Sequence, residues 1–212
     1  MEKKKLAEDL LNIGAIFLRP QEPFTWASGI KSPIYCDNRV VLSFPQIRDN
    51  IEKRLSENVK KFFPKCEMLA GTSTAGIAHA AFVAQNLNLP MVYVRSSEKD
   101  HGRKNFIEGK ISPGQNTVVI EDLISTAGSA IKVVKILREA KVNVLGIISI
   151  FTYNMKEGIS ALENEKIKNF SLLSYDDLLE IAIEKGIVSK SDIKKLQVFK
   201  NNPKDSSWIN LA

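Results

Sequence analysis

The chain has 212 residues, 44% of them hydrophobic and 25% charged, a composition near the globular average that excludes a disordered polypeptide. At about 100–200 residues per domain it reads as one domain, long enough to fill a core without disulfides or structural zinc. Lys and Arg number 30 against 24 Asp and Glu, leaving a formal charge of +6. That excess suits nucleic acid, a membrane surface or a small anionic substrate, and composition does not choose among them.

No apolar run approaches the ~18 residues of a spanning helix. The most apolar stretch, 142–151, is short and broken by Asn143 and Gly146. The basic start MEKKK looks like the opening of a secretory signal, but Glu8 and Asp9 interrupt any apolar core behind it. Cys36 and Cys66 form no CxxC pattern and read as reduced thiols of a cytoplasmic protein. With His79 and His101 they match no zinc spacing.

In chain order, Leu6, Leu10 and Ile13 predict an amphipathic helix over 3–14. Residues 24–39 are turn-rich, with short β-like pieces around Gly29 and Pro33. Pro45 starts a long helix with Ile47, Ile51, Leu55 and Val59 at four-residue steps. A strand follows over 67–70, a loop over 71–75 and an Ala-rich helix over 76–87. Next come a strand over 91–94 and a polar stretch over 95–115 without clear periodicity. A strand is predicted at 117–120, an acidic Gly-containing turn, a helix at 129–141 and a strand at 142–153. Helices near 175–185 and 189–199 end the chain. Strands alternating with helices predict βαβ crossovers and a mostly parallel sheet. His79, on the Ala-rich helix, reads as structural or as a residue of a dimer interface.

The strongest signal is VVIEDLISTAGS at 118–129. A buried strand ends in two adjacent carboxylates, Glu121 and Asp122, and a run of small residues then opens a helix. Helix N-termini present unpaired N–H groups and a positive dipole end, so small residues there make a phosphate cradle. Carboxylates at the same strand end can accept hydrogen bonds from sugar hydroxyls. Ligands of open α/β sheets bind at the carboxyl ends of strands. The string GTSTAG at 71–76 has the same geometry and predicts another anion cradle, the first of the two in chain order. The 95–115 stretch carries Arg95, Lys99, His101, Arg103, Lys104 and Lys110 among a few acids. Irregular loops of that length in a compact domain are usually functional.

The 118–129 string resembles the phosphoribosyl pyrophosphate (PRPP) motif of type I phosphoribosyltransferases. FTWASGIKSPIY at 24–35 and RSSEKDHG at 95–102 resemble two signatures of the orotate phosphoribosyltransferase family, and GTSTAGIAHA at 71–80 resembles its pyrophosphate loop. Order and spacing agree over about residues 5–155. The resemblance implies the type I phosphoribosyltransferase fold: α/β, a mostly parallel twisted sheet flanked by helices, with a small N-terminal hood and a long flexible catalytic loop. It implies one domain over 1–212, in which 1–40 and part of the C-terminal region form the hood and 65–155 the PRPP-binding core.

The implied reaction is orotate plus PRPP giving orotidine 5′-monophosphate and pyrophosphate, with Mg²⁺, in pyrimidine biosynthesis. The chain has no room for a fused decarboxylase barrel of about 250 residues, so a single-activity enzyme is expected. By resemblance Lys99, His101, Glu121 and Asp122 are catalytic. PRPP is held by Thr72, Ser73, Thr74, Ala75, Arg95, Lys99 and His101, by Glu121, Asp122, Leu123 and Ile124, and by Ser125, Thr126, Ala127, Gly128 and Ser129. Orotate is walled by Ser28, Gly29, Lys31, Tyr35 and Thr126. Mg²⁺ arrives through ligand and water, with Glu121 and Asp122 as the candidate protein donors. A non-proline cis peptide is expected at Thr74–Ala75.

The chain departs from relatives at Ala75, Ala27 and Ser96, where several of them carry Lys, and at Thr152-Tyr153, where some place an orotate-binding Arg. A cytoplasmic homodimer that shares the cationic loop across its interface is expected, without nucleic acid or membrane partners. A purine phosphoribosyltransferase or a PRPP-sensing regulator on the same fold are the alternatives. The Ser28-Gly29 and Ser32-Pro33 pairs disfavour the first, and the Lys99/His101 loop disfavours the second.

Overall fold

In the computed structural model, which describes residues 2–26, 29–96, 106–189 and 191–211, helix α1 (Glu2–Asn12) buries Leu6 and Leu10 and leads into short antiparallel strands. β1 (Ile16–Leu18) pairs with β4 (Ile34–Cys36), and between them β2 (Phe24–Thr25) pairs with β3 (Lys31–Ser32). A 3₁₀ turn (Asn38–Ser43) then leads to α2 (Pro45–Phe62). Proline's fixed φ and missing N–H fit the first helical position, and Ile51, Leu55 and Val59 are buried at the predicted four-residue step.

The main sheet follows. β5 (Met68–Thr72), α3 (Ala75–Leu87), β6 (Met91–Val94) and a short β7 (Ile107–Glu108) form one half. β8 (Asn116–Ile124), α4 (Gly128–Glu139), β9 (Asn143–Thr152), α5 (Lys156–Asn164) and β10 (Asn169–Ser174) form the other. Helices α6 (Tyr175–Glu184) and α7 (Asp192–Asn201) end it. The strand order is β10-β9-β8-β5-β6-β7, parallel throughout except for β7, which runs antiparallel to β6.

The predicted parallel sheet is therefore present, and several boundaries move. β8 continues through Glu121 and Asp122, which lie in the strand rather than in a turn. The polar 95–115 stretch contains β7, held by its ladder to β6. The helix expected over 129–141 starts one residue earlier and stops at Glu139. Neither α5 nor β10 is announced by the sequence pattern. Gly146 does not break β9: a Cβ there would lie 2.4 Å from the Phe63 ring, so glycine admits that ring against the strand.

Alternation along the strands divides the core. Leu69, Val118, Ile120, Ile148 and Ile150 face α1, α2 and α3. Met68, Ala70, Val119 and Ile147 face α4 and α5 with Ile131, Val134, Leu137 and Leu162. Buried on both faces, these strands read as continuous apolar runs. The chain's two ends meet. Trp26 sets its ring edge-on against Tyr153 (5.5 Å) and Phe199 (5.8 Å), and Phe199 packs on the fully buried Trp208. Lys3 pairs with Asp177, and Lys185 with Glu8, across α1 and α6.

Candidate active site

The strand order reverses between β5 and β8, so the carboxyl ends of these two neighbours open the crevice where ligands of such sheets bind. At the β5 end, Thr72 is buried and its hydroxyl donates to the Ile120 carbonyl at 3.2 Å. Ser73 donates to the Val94 carbonyl through both its N–H (3.2 Å) and its hydroxyl (2.6 Å). Thr74 is the N-cap of α3 and caps no N–H with its side chain, which leaves the helix's positive end facing the crevice. The cis peptide is Ser73–Thr74, one bond earlier than expected, because Ala75 already belongs to the helix. Two glycines bring α3 close. A Cβ on Gly71 would meet the Ile77 backbone at 2.8 Å, and one on Gly76 would meet the Thr72 hydroxyl at 2.3 Å and the Ile120 carbonyl at 2.6 Å.

At the β8 end, Glu121 is 6% exposed. Burial, then the neighbouring Asp122 carboxylate, pushes its carboxyl up to about 8. The Asp122 N–H donates to Glu121 Oε1 at 3.0 Å, and Asn38 donates from Nδ2 to the Asp122 carbonyl at 2.8 Å. Asn38 was not among the expected residues. It ties the 3₁₀ turn to the acid pair over 84 positions of sequence, a contact that no local pattern announces. Ala127 caps α4 in the left-handed conformation at φ 64°, again without a side-chain cap. Glu121 and residues 123–130 enclose a cavity of about 50 Å³, the size of a small anion's seat.

A second cavity, about 300 Å³, lies beside this loop. Trp26, Ile30, Thr126 and Met155 form its apolar walls, and Lys156 and residues 201–204 its rim. Thr126 borders both cavities. Of the other expected orotate residues, Gly29, Lys31 and Tyr35 do not line it. Gly29 forms the β2–β3 turn at φ 84°, and its N–H donates to the Trp26 carbonyl at 2.8 Å. Lys31 turns back along the hairpin to donate to the Thr25 hydroxyl at 2.7 Å. Tyr35 is 39% exposed, with its ring 5.6 Å from Phe24. Ser28, Ala27, Lys99 and His101 lie outside the described residues.

Arg95 follows Val94, the residue in register with Thr72, and so stands beside the first cradle. Its N–H donates to the Phe106 carbonyl at 2.8 Å, and its guanidinium lies 3.7 Å from Glu108. Lys132, on the helix that starts in the second cradle, donates to the Ser96 carbonyl at 3.0 Å. Among the described residues no group of three or more His, Cys, Asp or Glu side chains forms a metal cage. Glu121 and Asp122 supply hard oxygen donors that fit a metal carrying most of its ligands from substrate and water.

Comparisons with known proteins agree with this geometry. The phosphoribosyl transferase domain family matches residues 40–173. Orotate phosphoribosyltransferase of Bacillus anthracis is 55% identical over 207 residues, covering 98% of this chain and 99% of the relative. The Bacillus cytotoxicus enzyme of the same name is 54% identical with the same coverage. Among solved structures, orotate phosphoribosyltransferase from Aeropyrum pernix superposes with a TM-score of 0.75 at 26% identity, over 87% of this chain and 99% of that one. Leishmania donovani UMP synthase superposes with a TM-score of 0.80 at 23% identity, over 94% of this chain and 42% of that longer one. With two strand-to-helix turns and an acid pair at the switch point, and near-complete coverage at more than half identity, the chain belongs to the orotate phosphoribosyltransferase family of phosphoribosyl transferases.

Proposed function

We propose that the protein is an orotate phosphoribosyltransferase. It moves the 5-phosphoribosyl group of PRPP onto the ring nitrogen of orotate, giving orotidine 5′-monophosphate and pyrophosphate. The observation that carries this is the pair of helix N-termini at the ends of neighbouring strands, with Glu121 and Asp122 between them. PRPP has an anion at each end of a ribose, and this spacing of two cradles around two carboxylates is complementary to it.

In this reading residues 125–129 hold the 5′-phosphate through backbone N–H groups and hydroxyls, and Glu121 and Asp122 accept from the ribose hydroxyls. Residues 72–75 and Arg95 receive the pyrophosphate, and Lys99 and His101 neutralise charge on it as the C1–O bond loosens. The transition state gains positive charge at the sugar and negative charge on the leaving group, so fixed donors around that group supply the rate. When Mg²⁺ is bound it supplies positive charge to the diphosphate; Glu121 and Asp122 are the protein oxygens nearest that role. Orotate stacks beneath residues 24–35, with Thr126 at its edge. The packing of Trp26 on Phe199 supports a hood built from both chain ends.

The protein acts as a cytoplasmic homodimer. Ile77, Ala78, Ala81 and Phe82 remain unburied on the outer face of α3, which supports association there. Among the described residues no helix is long and apolar enough to cross a membrane. The test is loss of orotate absorbance with PRPP and Mg²⁺, run beside adenine, hypoxanthine and uracil. Turnover of orotate alone is expected, and turnover of a purine alone would overturn the assignment.

A further inference from the structure

Helix α5 lies against the loop assigned to the 5′-phosphate, and one residue governs how closely. A Cβ on Gly158 would fall 2.3 Å from the Ser125 carbonyl oxygen, 3.3 Å from the Ser125 carbonyl carbon and 3.4 Å from that of Thr126. Real Cβ atoms do not approach backbone that closely, so any side chain would push helix and loop apart. Gly158 sits within α5 and has no positive φ. The position therefore needs glycine for space rather than for conformation, in a place where glycine weakens the helix. Gly128, inside the loop's own helix, is the contrast: among the described residues a Cβ there meets nothing within 4 Å.

The helix behind the loop is itself braced. The Tyr153 N–H donates to the Ile124 carbonyl at 2.9 Å and joins the ends of β9 and β8 just ahead of α5. Met155, its N-cap, is 2% exposed, and Leu162 on its far turn is buried with Ile131, Val134 and Leu137 of α4. The loop backbone is thus held between the start of α4, which supplies the N–H donors, and α5, which blocks retreat from the ligand.

We infer that Gly158 is a positioning residue for the 5′-phosphate: by admitting α5 against Ser125 and Thr126 it holds their backbone where the phosphate needs it. This rests on the assignment of residues 125–129 to that phosphate. Misplacement of a binding loop by a fraction of an ångström is costly because its donors must converge on one anion.

The test uses ribose 5-phosphate and pyrophosphate as separate probes. Gly158→Ala is expected to weaken ribose 5-phosphate binding about tenfold and to leave pyrophosphate inhibition unchanged, since that anion belongs to the other cradle. A variant that is merely less stable would lose active sites without changing either affinity. Unchanged ribose 5-phosphate affinity in Gly158→Ala overturns the inference, as does an equal loss for both probes. Hydrogen exchange on the unaltered protein covers the case in which the variant does not fold. Ribose 5-phosphate is expected to protect 125–130 and α5 together. Protection of 125–130 without α5 refutes the role of Gly158 and spares the phosphate assignment. No protection of 125–130 refutes both.

Discussion

His79 Nδ1 lies 2.5 Å from Glu52 Oε1, with both side chains buried, and this bond fastens α3 to α2 one turn behind the first cradle. Burial raises the Glu52 carboxyl above its ordinary value, partly offset by His79. The outer atoms, Glu52 Oε2 and His79 Nε2, have no hydrogen-bond partner among the described residues, so each residue depends on the other.

Removing one member should therefore strand its partner. His79→Leu and Glu52→Leu are each expected to cost about 1–3 kcal/mol. The double variant should cost less than the sum by about 1 kcal/mol or more. Denaturant midpoints around the cycle measure this, and additive costs would show that the bond contributes nothing.

Glu121 sets a pH dependence. Its folded value is raised to about 8 from an ordinary value of 4.5. The fold favours the protonated form, so this contribution to stability is full below the unfolded value and is lost as pH rises through the folded one. Glu121→Gln should lose less stability than the unaltered protein between about pH 5 and pH 8, by on the order of a few kcal/mol. It should also use PRPP poorly. Parallel Tm–pH curves for the two proteins would contradict the burial argument.

Asp122→Asn retains the shape of the site and removes a charged acceptor. If Asp122 holds a ribose hydroxyl, the loss is about 1.5–3 kcal/mol, or roughly 10–150-fold in kcat/KM for PRPP. The melting temperature should hold, because the Asn38 bond is to the Asp122 carbonyl and survives the change. Unaltered kinetics would take Asp122 out of the site.

Subunit mixing tests whether the site is shared between subunits. Lys99→Ala and Asp122→Asn should each be poorly active alone. One removed leaving-group donor is worth about 10²–10³ in rate. In a mixed dimer with loops that cross the interface, one site has both intact parts and activity returns. Absence of recovery in verified mixed dimers would place Lys99 within its own subunit.

Much of the site can be read from the chain because its parts are local. Residues 71–76 and 118–129 each contain a strand end, a turn and a helix start within about a dozen positions, so their chemistry and backbone form travel together. The apolar runs of β5, β8 and β9 and the Ala-rich α3 were legible for the same reason. By contrast, α5 and β10 are short and partly polar, and they are specified by packing on α4 and β9 rather than by periodicity. The residues expected around orotate are only partly brought together. Thr126 borders the larger cavity, whereas Lys31 turns back to Thr25, a choice between two short-range partners that spacing does not express.

By itself, then, the amino-acid order determined most of the element types, the two small-residue strand-to-helix turns and the acid pair, because each depends on neighbours a few residues away. Only the tertiary structure decided that β8 lies beside β5, which places the two turns at one crevice. It also decided that Glu121 is buried enough to push its carboxyl well above the usual carboxylate range, and that Gly158 backs a loop 33 residues earlier. Strand order, desolvation and close approach are set by what lies across the core, and chain neighbours carry no record of that.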